Sequence, residues 1–174
     1  GKLVSALRRL GFAKVYDTTL GADMTTIEEA NEFLGRLKNG GKFPMFTSCC
    51  PAWIRFAENE FPEYLENIST CRSPMEMFAS TLKESYEGDK KHVHVAIMPC
   101  TAKKYEAKRD EFKDKDGNSY VDYVLTTQEI INMIKTAGID FANLSESSLD
   151  DPYNMITGSG VLFGVTGGVT ESVL

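Results

Sequence analysis

Two cysteines stand side by side in Thr47-Ser48-Cys49-Cys50-Pro51-Ala52-Trp53, and a third follows another proline in Met98-Pro99-Cys100. Thiolates bind soft metal ions, and thiols exchange protons near neutral pH, so these turns are where chemistry is expected. Phe43-Pro44-Met45-Phe46 reads as a short buried strand, and Trp53, Ile54 and Phe56 to Phe61 recur at helical spacing. Pro51 suits the first position of a helix. The paired cysteines are therefore expected at a strand-to-helix turn, where backbone N–H groups and the positive helix end would favour thiolate over thiol. Cys50 and Cys100 each end an expected strand and open an expected helix. Such turns converge at the carboxyl edge of an open α/β sheet, where two thiols would meet around one metal centre. The competing reading makes both of them small buried hydrophobes. An iron–sulfur cluster takes four thiolates as a rule, and this chain offers two that are well placed.

The elements that must hold these residues alternate between helical and strand-like patterns, which predicts an α/β fold with parallel-rich twisted sheets flanked by helices. Leu3–Leu10 is amphipathic and Ala13–Tyr16 reads as a short strand. A helix is expected from Thr26 towards Lys38, stopped by Gly40 and Gly41. Further helices are expected from Ala52, from Ser73-Pro74 through Leu82, from Thr101 to Phe112, and from Thr127 to Ala137. His92–Met98 and Tyr120–Leu125 read as buried strands, residues 113–119 as a turn, and 142–154 as loop.

At 174 residues the chain is long enough for one core, or for part of a larger domain. Its net charge of −6 argues against nucleic acid or an anionic membrane as the main partner. No run of 18 apolar residues is present. Four cysteines do not make a disulfide framework at this length, and neighbouring Cys49 and Cys50 could pair only with strain, so reduced thiols in a cytoplasmic setting are expected. The chain starts at Gly1 and stops at Leu174 within what reads as an unfinished helix, so truncation is expected at both ends.

Thr47–Trp53 and Met98-Pro99-Cys100-Thr101-Ala102-Lys103-Lys104-Tyr105-Glu106 closely resemble the first two signature motifs of the [FeFe]-hydrogenases, T-S-C-C-P-x-W and M-P-C-x-x-K-x-x-E. The likeness extends over the whole chain, to Phe163–Gly168. It implies a [FeFe]-hydrogenase large-subunit-like fold, incomplete here, with residues 1–174 forming the central part of the catalytic domain. It implies a [4Fe-4S] cluster joined to a two-iron unit carrying CO, cyanide and a bridging dithiolate, and interconversion of protons and electrons with H₂. Cys50 and Cys100 would be two cluster ligands. Cys49 would donate protons, fed by Glu29, Ser69 and, outermost, Glu32. Lys103 would hold a cyanide, and Met98 and Phe163 would line the two-iron pocket. Met75 falls where several members of the family have a glutamine. A ferredoxin or similar electron carrier and maturation proteins would be partners. The last two cluster cysteines would lie beyond Leu174, so the 174-residue chain alone is expected to be inactive.

Each role has a plainer competitor. Thr26–Glu29 fits a capping box, Ser69 a turn cap, Lys103 a solvated helix lysine like Lys104 and Lys108, and Met98 and Phe163 core packing. Glu106 would pair with Lys103 or face water. Cys71 matches no family ligand and reads as a buried thiol. Hydrogenase-like iron–sulfur proteins of cluster assembly or sensing resemble the chain at Cys50 and Cys100, but the assembly relatives lack the first of the paired cysteines. The presence of Cys49 therefore favours the enzyme. A zinc site from His92, His94 and Cys100 requires the chain to fold back, because six extended residues separate His94 from Cys100 by roughly 20 Å. Gly158–Gly164 is one residue too long for a dinucleotide-binding glycine loop.

Overall fold

Ile97 and Leu125 pack on one face of a short sheet while Ala96, Met98 and Val124 pack on the other, and that alternation divides the core in two. The computed structural model describes residues 1–86, 92–151 and 162–174. The sheet is one parallel pair, β1 (Val95–Ile97) and β2 (Tyr123–Leu125), in register Val95 to Tyr123 and Ile97 to Leu125. Parallel strands need a crossover connection. Here it contains α5 (Ala102–Glu106), a 3₁₀ turn at Asp110–Phe112 and the Lys113–Ser119 bridge.

On one face lie α1 (Lys2–Arg9) and α6 (Thr127–Thr136), whose Val4, Leu7, Ile130 and Ile134 pack with Val15 and Leu144. On the other, Met75 and Ala79 of α4 (Pro74–Ser85) pack against Ala107, Tyr120 and Val121. The 21-residue α2 (Thr19–Asn39) lies across α4, and α3 (Pro51–Glu60) carries the turn after the paired cysteines. The last helix, α7, spans Gly168–Val173 and leans on α2 through a Ser172–Thr26 hydroxyl contact of 3.2 Å. Sequence signals mark several of these ends. Ser73 Oγ accepts the Glu76 amide, Thr126 and Glu129 form a capping box, and Gly40 ends α2 at φ +72°.

Several expected elements differ. Residues 13–16 are not a strand, because Val15 spends its backbone groups on Asp150: the Val15 amide donates to its carboxylate at 2.9 Å and the Asp150 amide donates back to the Val15 carbonyl. Arg8 and Lys14 bind the same carboxylate. Helix α2 begins seven residues before Thr26, where Asp17 Oδ1 accepts the Thr19 amide, so Thr26–Glu29 is no capping box. Residues 43–46 form only an isolated parallel bridge, Phe46 to Ile68. The helix expected over 101–112 breaks where Arg109 turns extended. Lys104 is not a freely solvated lysine, since it binds both oxygens of Glu129 at 2.6 and 2.7 Å. The expected loop over 142–154 starts inside a 3₁₀ turn, Phe141–Asn143, runs without regular structure to Asp151, and then leaves the described residues. The Gly158–Gly164 glycine loop falls largely outside them too.

The crossing of α2 and α4 is close because Gly21 lacks a side chain: a Cβ there would run into the Pro74 carbonyl. Gly35, in the same helix, faces open space. Alanine normally stabilises a helix over glycine by roughly 0.5–1 kcal/mol. Gly35→Ala is therefore expected to raise stability by about that amount, and Gly21→Ala to lower it by roughly 1–3 kcal/mol through overpacking. Urea unfolding of the two variants checks the opposite signs.

Candidate functional site

The paired cysteines are placed by two backbone hydrogen bonds. Phe46 N donates to Asn67 O at 2.9 Å and Ser69 N to Phe46 O at 2.7 Å, which lays residues 47–50 beside 69–71. Ser48 Oγ then donates to the Cys71 carbonyl at 2.5 Å. Cys50 is the N-cap of α3, with Pro51 in the first position as expected. Its thiol is free and exposed, whereas Cys49 is half-buried.

Cys100 follows β1, is also free and exposed, and accepts the Lys103 amide at its carbonyl, 3.3 Å away. The Lys103 ammonium crosses between the two cysteine turns. It donates to the Cys49 carbonyl at 2.9 Å and to Glu106 Oε2 at 2.7 Å. The Glu106 partner is withdrawn from bulk water, being 3% exposed. An ammonium has three hydrogens, and these two bonds leave one. Lys103 is thus a structural bridge rather than a solvated lysine, and Glu106 pairs with it.

Cys49 departs from the expected thiolate. Burial pushes its thiol up to about 11, and the negative charge of Glu29 adds to the effect, against a smaller opposing pull from Lys103. The positive end of α3 does not decide its state; desolvation does. Cys49 is held as a protonated thiol.

Behind it, α2 supplies two carboxyl groups one turn apart. Glu29 is fully buried, accepts the Ser48 amide at 3.3 Å through Oε1, and has no partner for Oε2. Burial raises its pKa, eased by Ser69 and Ser48 and worsened by Glu32. The Ser69 hydroxyl, itself 5% exposed, donates to Glu32 Oε2 at 3.1 Å and accepts the Cys71 amide at 3.2 Å. Glu32 also accepts Thr70 N and Oγ1, both at 2.9 Å, and the Arg36 guanidinium at 2.6 Å. Burial alone would raise its pKa, but the Thr70 and Arg36 donors outweigh that and hold it below the usual carboxylate range. By accepting the Cys71 amide, Ser69 also caps the turn after Ile68, so the plainer reading of this residue holds beside the other.

Other expected residues are arranged differently. Met98 is half-buried, donates its amide to Leu125 O at 2.8 Å and packs into the second core beside buried Met75. Phe163 is half-buried near the start of the turn into α7. His94 Nδ1 lies 3.1 Å from Tyr120 O. Among the described residues, no three His, Cys, Asp or Glu side chains are grouped to hold a metal ion. Two exposed thiols on adjoining turns therefore fit half of a four-thiolate set, with no full cage of their own. Sequence reasoning missed Arg36, whose i,i+4 spacing from Glu32 was a readable signal. It also missed Glu76, which is fully buried on α4 with both carboxyl oxygens unpartnered. Nothing in an amphipathic pattern marks such a residue.

Known proteins share this fold. Residues 1–174 match the family described as iron only hydrogenase large subunit, C-terminal domain, and the chain belongs to that family. It is 49% identical to Iron hydrogenase 1 of Clostridium pasteurianum over 100% of its own length and 31% of that protein. It is 47% identical to the periplasmic [Fe] hydrogenase large subunit of Nitratidesulfovibrio vulgaris, covering 100% of itself and 43% of the relative. Among solved structures, a variant of apo [FeFe]-hydrogenase HydA1 from Chlamydomonas reinhardtii superimposes with a TM-score of 0.84 at 46% identity, over 98% of this chain and 44% of the other. Protein NAR1 of Arabidopsis thaliana is also similar, at 36% identity over 99% of this chain and 42% of that protein. The chain thus spans less than half the length of these relatives. No helix among the described residues is long and apolar enough to cross a membrane.

Lys103→Met should strand the Glu106 charge in the protein and cost roughly 3–5 kcal/mol, with Glu106→Gln added to it recovering part of the loss. Urea midpoints of the single and double variants measure both. Glu32 gives a pH dependence of known sign. Its folded-state pKa lies below the ordinary 4.5, so its contribution is complete above about pH 4.5 and is lost as pH falls through the lower folded value. Glu32→Gln is expected to flatten the acid limb of stability against pH, with little change near neutrality in its slope.

Proposed function

We propose that this chain is the part of an [FeFe]-hydrogenase catalytic domain that carries two cluster thiolates and the inner proton relay. The supporting observation is the Lys103 bridge, which ties the turns of Cys49-Cys50 and Cys100 together with a line of acids leading away from Cys49. Cys50 and Cys100 would hold a [4Fe-4S] cluster joined to a two-iron unit with CO, cyanide and a bridging dithiolate, the other thiolates coming from residues beyond these 174. When bound, that group supplies the electrons and the place where two protons become H₂.

The chain's own residues then do acid–base and positioning work. Cys49 Sγ holds a proton beside that place. Glu29, pushed towards its protonated form, resupplies it. To refill Glu29, Ser69 Oγ takes a proton from Glu32, to which it is already hydrogen-bonded, and passes its own to the unpartnered Oε2 of Glu29. Arg36 and Thr70 keep Glu32 fixed at the outer end. Lys103 offers its remaining hydrogen to a cyanide, and Met98 and Phe163 line the pocket. The protein would exchange H₂ and protons, take electrons from a ferredoxin or similar carrier, and need maturation proteins. The 174 residues alone would not turn over hydrogen. Cys49 and its relay favour this reading over a non-catalytic role in cluster assembly or sensing, which has no use for a buried proton line.

In the complete matured polypeptide, Cys49→Ala should lower hydrogen turnover by roughly 10²–10⁴-fold with iron content unchanged. Cys50→Ala and Cys100→Ala should instead lose iron. Turnover at the parent rate in the Cys49 variant would sink the proton-donor assignment, and full iron retention in both others would sink the ligand assignment.

A further inference from the structure

Glu76 has no part in the relay. It is the third residue of α4, and its neighbours Met75 and Ala79 share one buried apolar cluster with Ala107, which follows directly on the segment that carries Lys103 and Glu106. Its carboxyl group is fully buried and neither oxygen has a hydrogen-bond partner. An ionised carboxylate left in that state is strongly disfavoured, and the group neutralises instead. The charges it feels are Glu106 and Lys103 from α5, and Arg72 from the segment before α4. On α2, packed across α4, the buried acids are Asp23 and Glu29. Glu76 and Glu106 thus share a single ammonium, Lys103, and Glu106 already holds it.

We propose that Glu76 is a positioning residue for Lys103: its carboxyl group, buried beside the Lys103–Glu106 pair, determines whether the third ammonium hydrogen faces the cysteine turns or is drawn back into the protein. A neutral Glu76 makes no claim on the ammonium, which then keeps its two bonds and points the remaining hydrogen outwards. An ionised Glu76 is an unpartnered buried anion beside a cation, and it competes for that hydrogen. Burial, followed by repulsion from Glu106, pushes its pKa up to about 8, so the neutral form prevails at neutral pH and is lost in mild alkali. The proton is lost to hydroxide in water, which the open cleft of about 470 Å³ beside Glu106 admits to this side of the protein. The placement of Lys103 is independent of the assigned activity. Only the anion that the third hydrogen meets, a cyanide, rests on the hydrogenase reading.

The test uses the complete polypeptide. Crystals of the cluster-free form at about pH 6 and about pH 9.5, either side of the expected transition, should show Lys103 Nζ on the Cys49 carbonyl at the lower pH and shifted towards Glu76 at the higher. In E76Q and in the apolar E76L, Nζ should stay in place at both. An unmoved lysine in the parent, or the same movement in both variants, overturns the proposal. Infrared difference spectra should carry a protonated-carboxyl band at neutral pH that disappears in alkali and is missing from E76Q; absence of the band in the parent also overturns it. In the matured enzyme, turnover of E76Q relative to the parent should rise at least about threefold between those pH values, and a constant ratio refutes the gating of Lys103. If parent and variant both fail to turn over hydrogen, the hydrogenase reading fails, while the crystals and spectra still decide the role of Glu76.

Discussion

One ammonium group holds the two motif turns in register. The Lys103 side chain reaches from the start of α5 to the Cys49 carbonyl, 54 residues earlier in the chain, while its own backbone amide rests on Cys100. Cys50 and Cys100 are both exposed, one on each of the turns that the ammonium joins. The bridge is anchored from behind by Glu106, whose burial makes it an unyielding partner. A buried pair of this kind is a poor source of net stability compared with apolar packing, and its value lies in fixing geometry. The sheet plays a supporting part. Only three residues long in each strand, it sets the direction in which β1 releases the chain towards Cys100.

Around that bridge the protein accumulates buried acids at a density that stability alone does not justify. Glu29, Glu76 and Glu106 are each 3% exposed or less. Their environments push them apart chemically: Glu106 is paired, Glu29 is half-satisfied, and Glu76 is left with no donor at all. Glu32, less buried and surrounded by donors, is driven the opposite way. A gradient from proton-retaining to proton-releasing carboxyl groups therefore runs along one face of α2, with a hydroxyl between them.

The sequence was most legible where chemistry and local structure coincide. Pro51 at the first position of α3, Ser73 before Pro74 and Gly40 after α2 each mark a boundary by a local rule, and the fold obeys all three. The paired cysteines and Lys103-x-x-Glu106 were visible as motifs for the same reason. Where a distant partner decides the outcome, the pattern misleads. Ala13–Tyr16 has strand-forming residues, yet Asp150 takes their backbone groups. Thr26–Glu29 has the letters of a capping box, but Asp17 starts the helix about two turns earlier and leaves Glu29 in the interior. A Cys49 thiolate fails on similar grounds: the helix end is legible locally, whereas the burial that outweighs it is not. Glu76 was unreadable, since a charged letter in an amphipathic helix is ordinarily assigned to the solvent side.

The spacing of Glu29, Glu32 and Arg36 along α2 has a consequence of its own. Three residues of helix advance about 4.5 Å and four about 6 Å, so the helix works as a ruler whose marks are the charged groups. The same Arg36 that ends the row also grips the carbonyls of Asn67 and Ile68, which pins the ruler to the backbone that carries Ser69. Distances between successive groups are thereby inherited from helical geometry rather than negotiated side chain by side chain. A substitution alters the chemistry at one mark, whereas a single inserted residue would turn every later mark by about 100° and leave the row aimed at nothing.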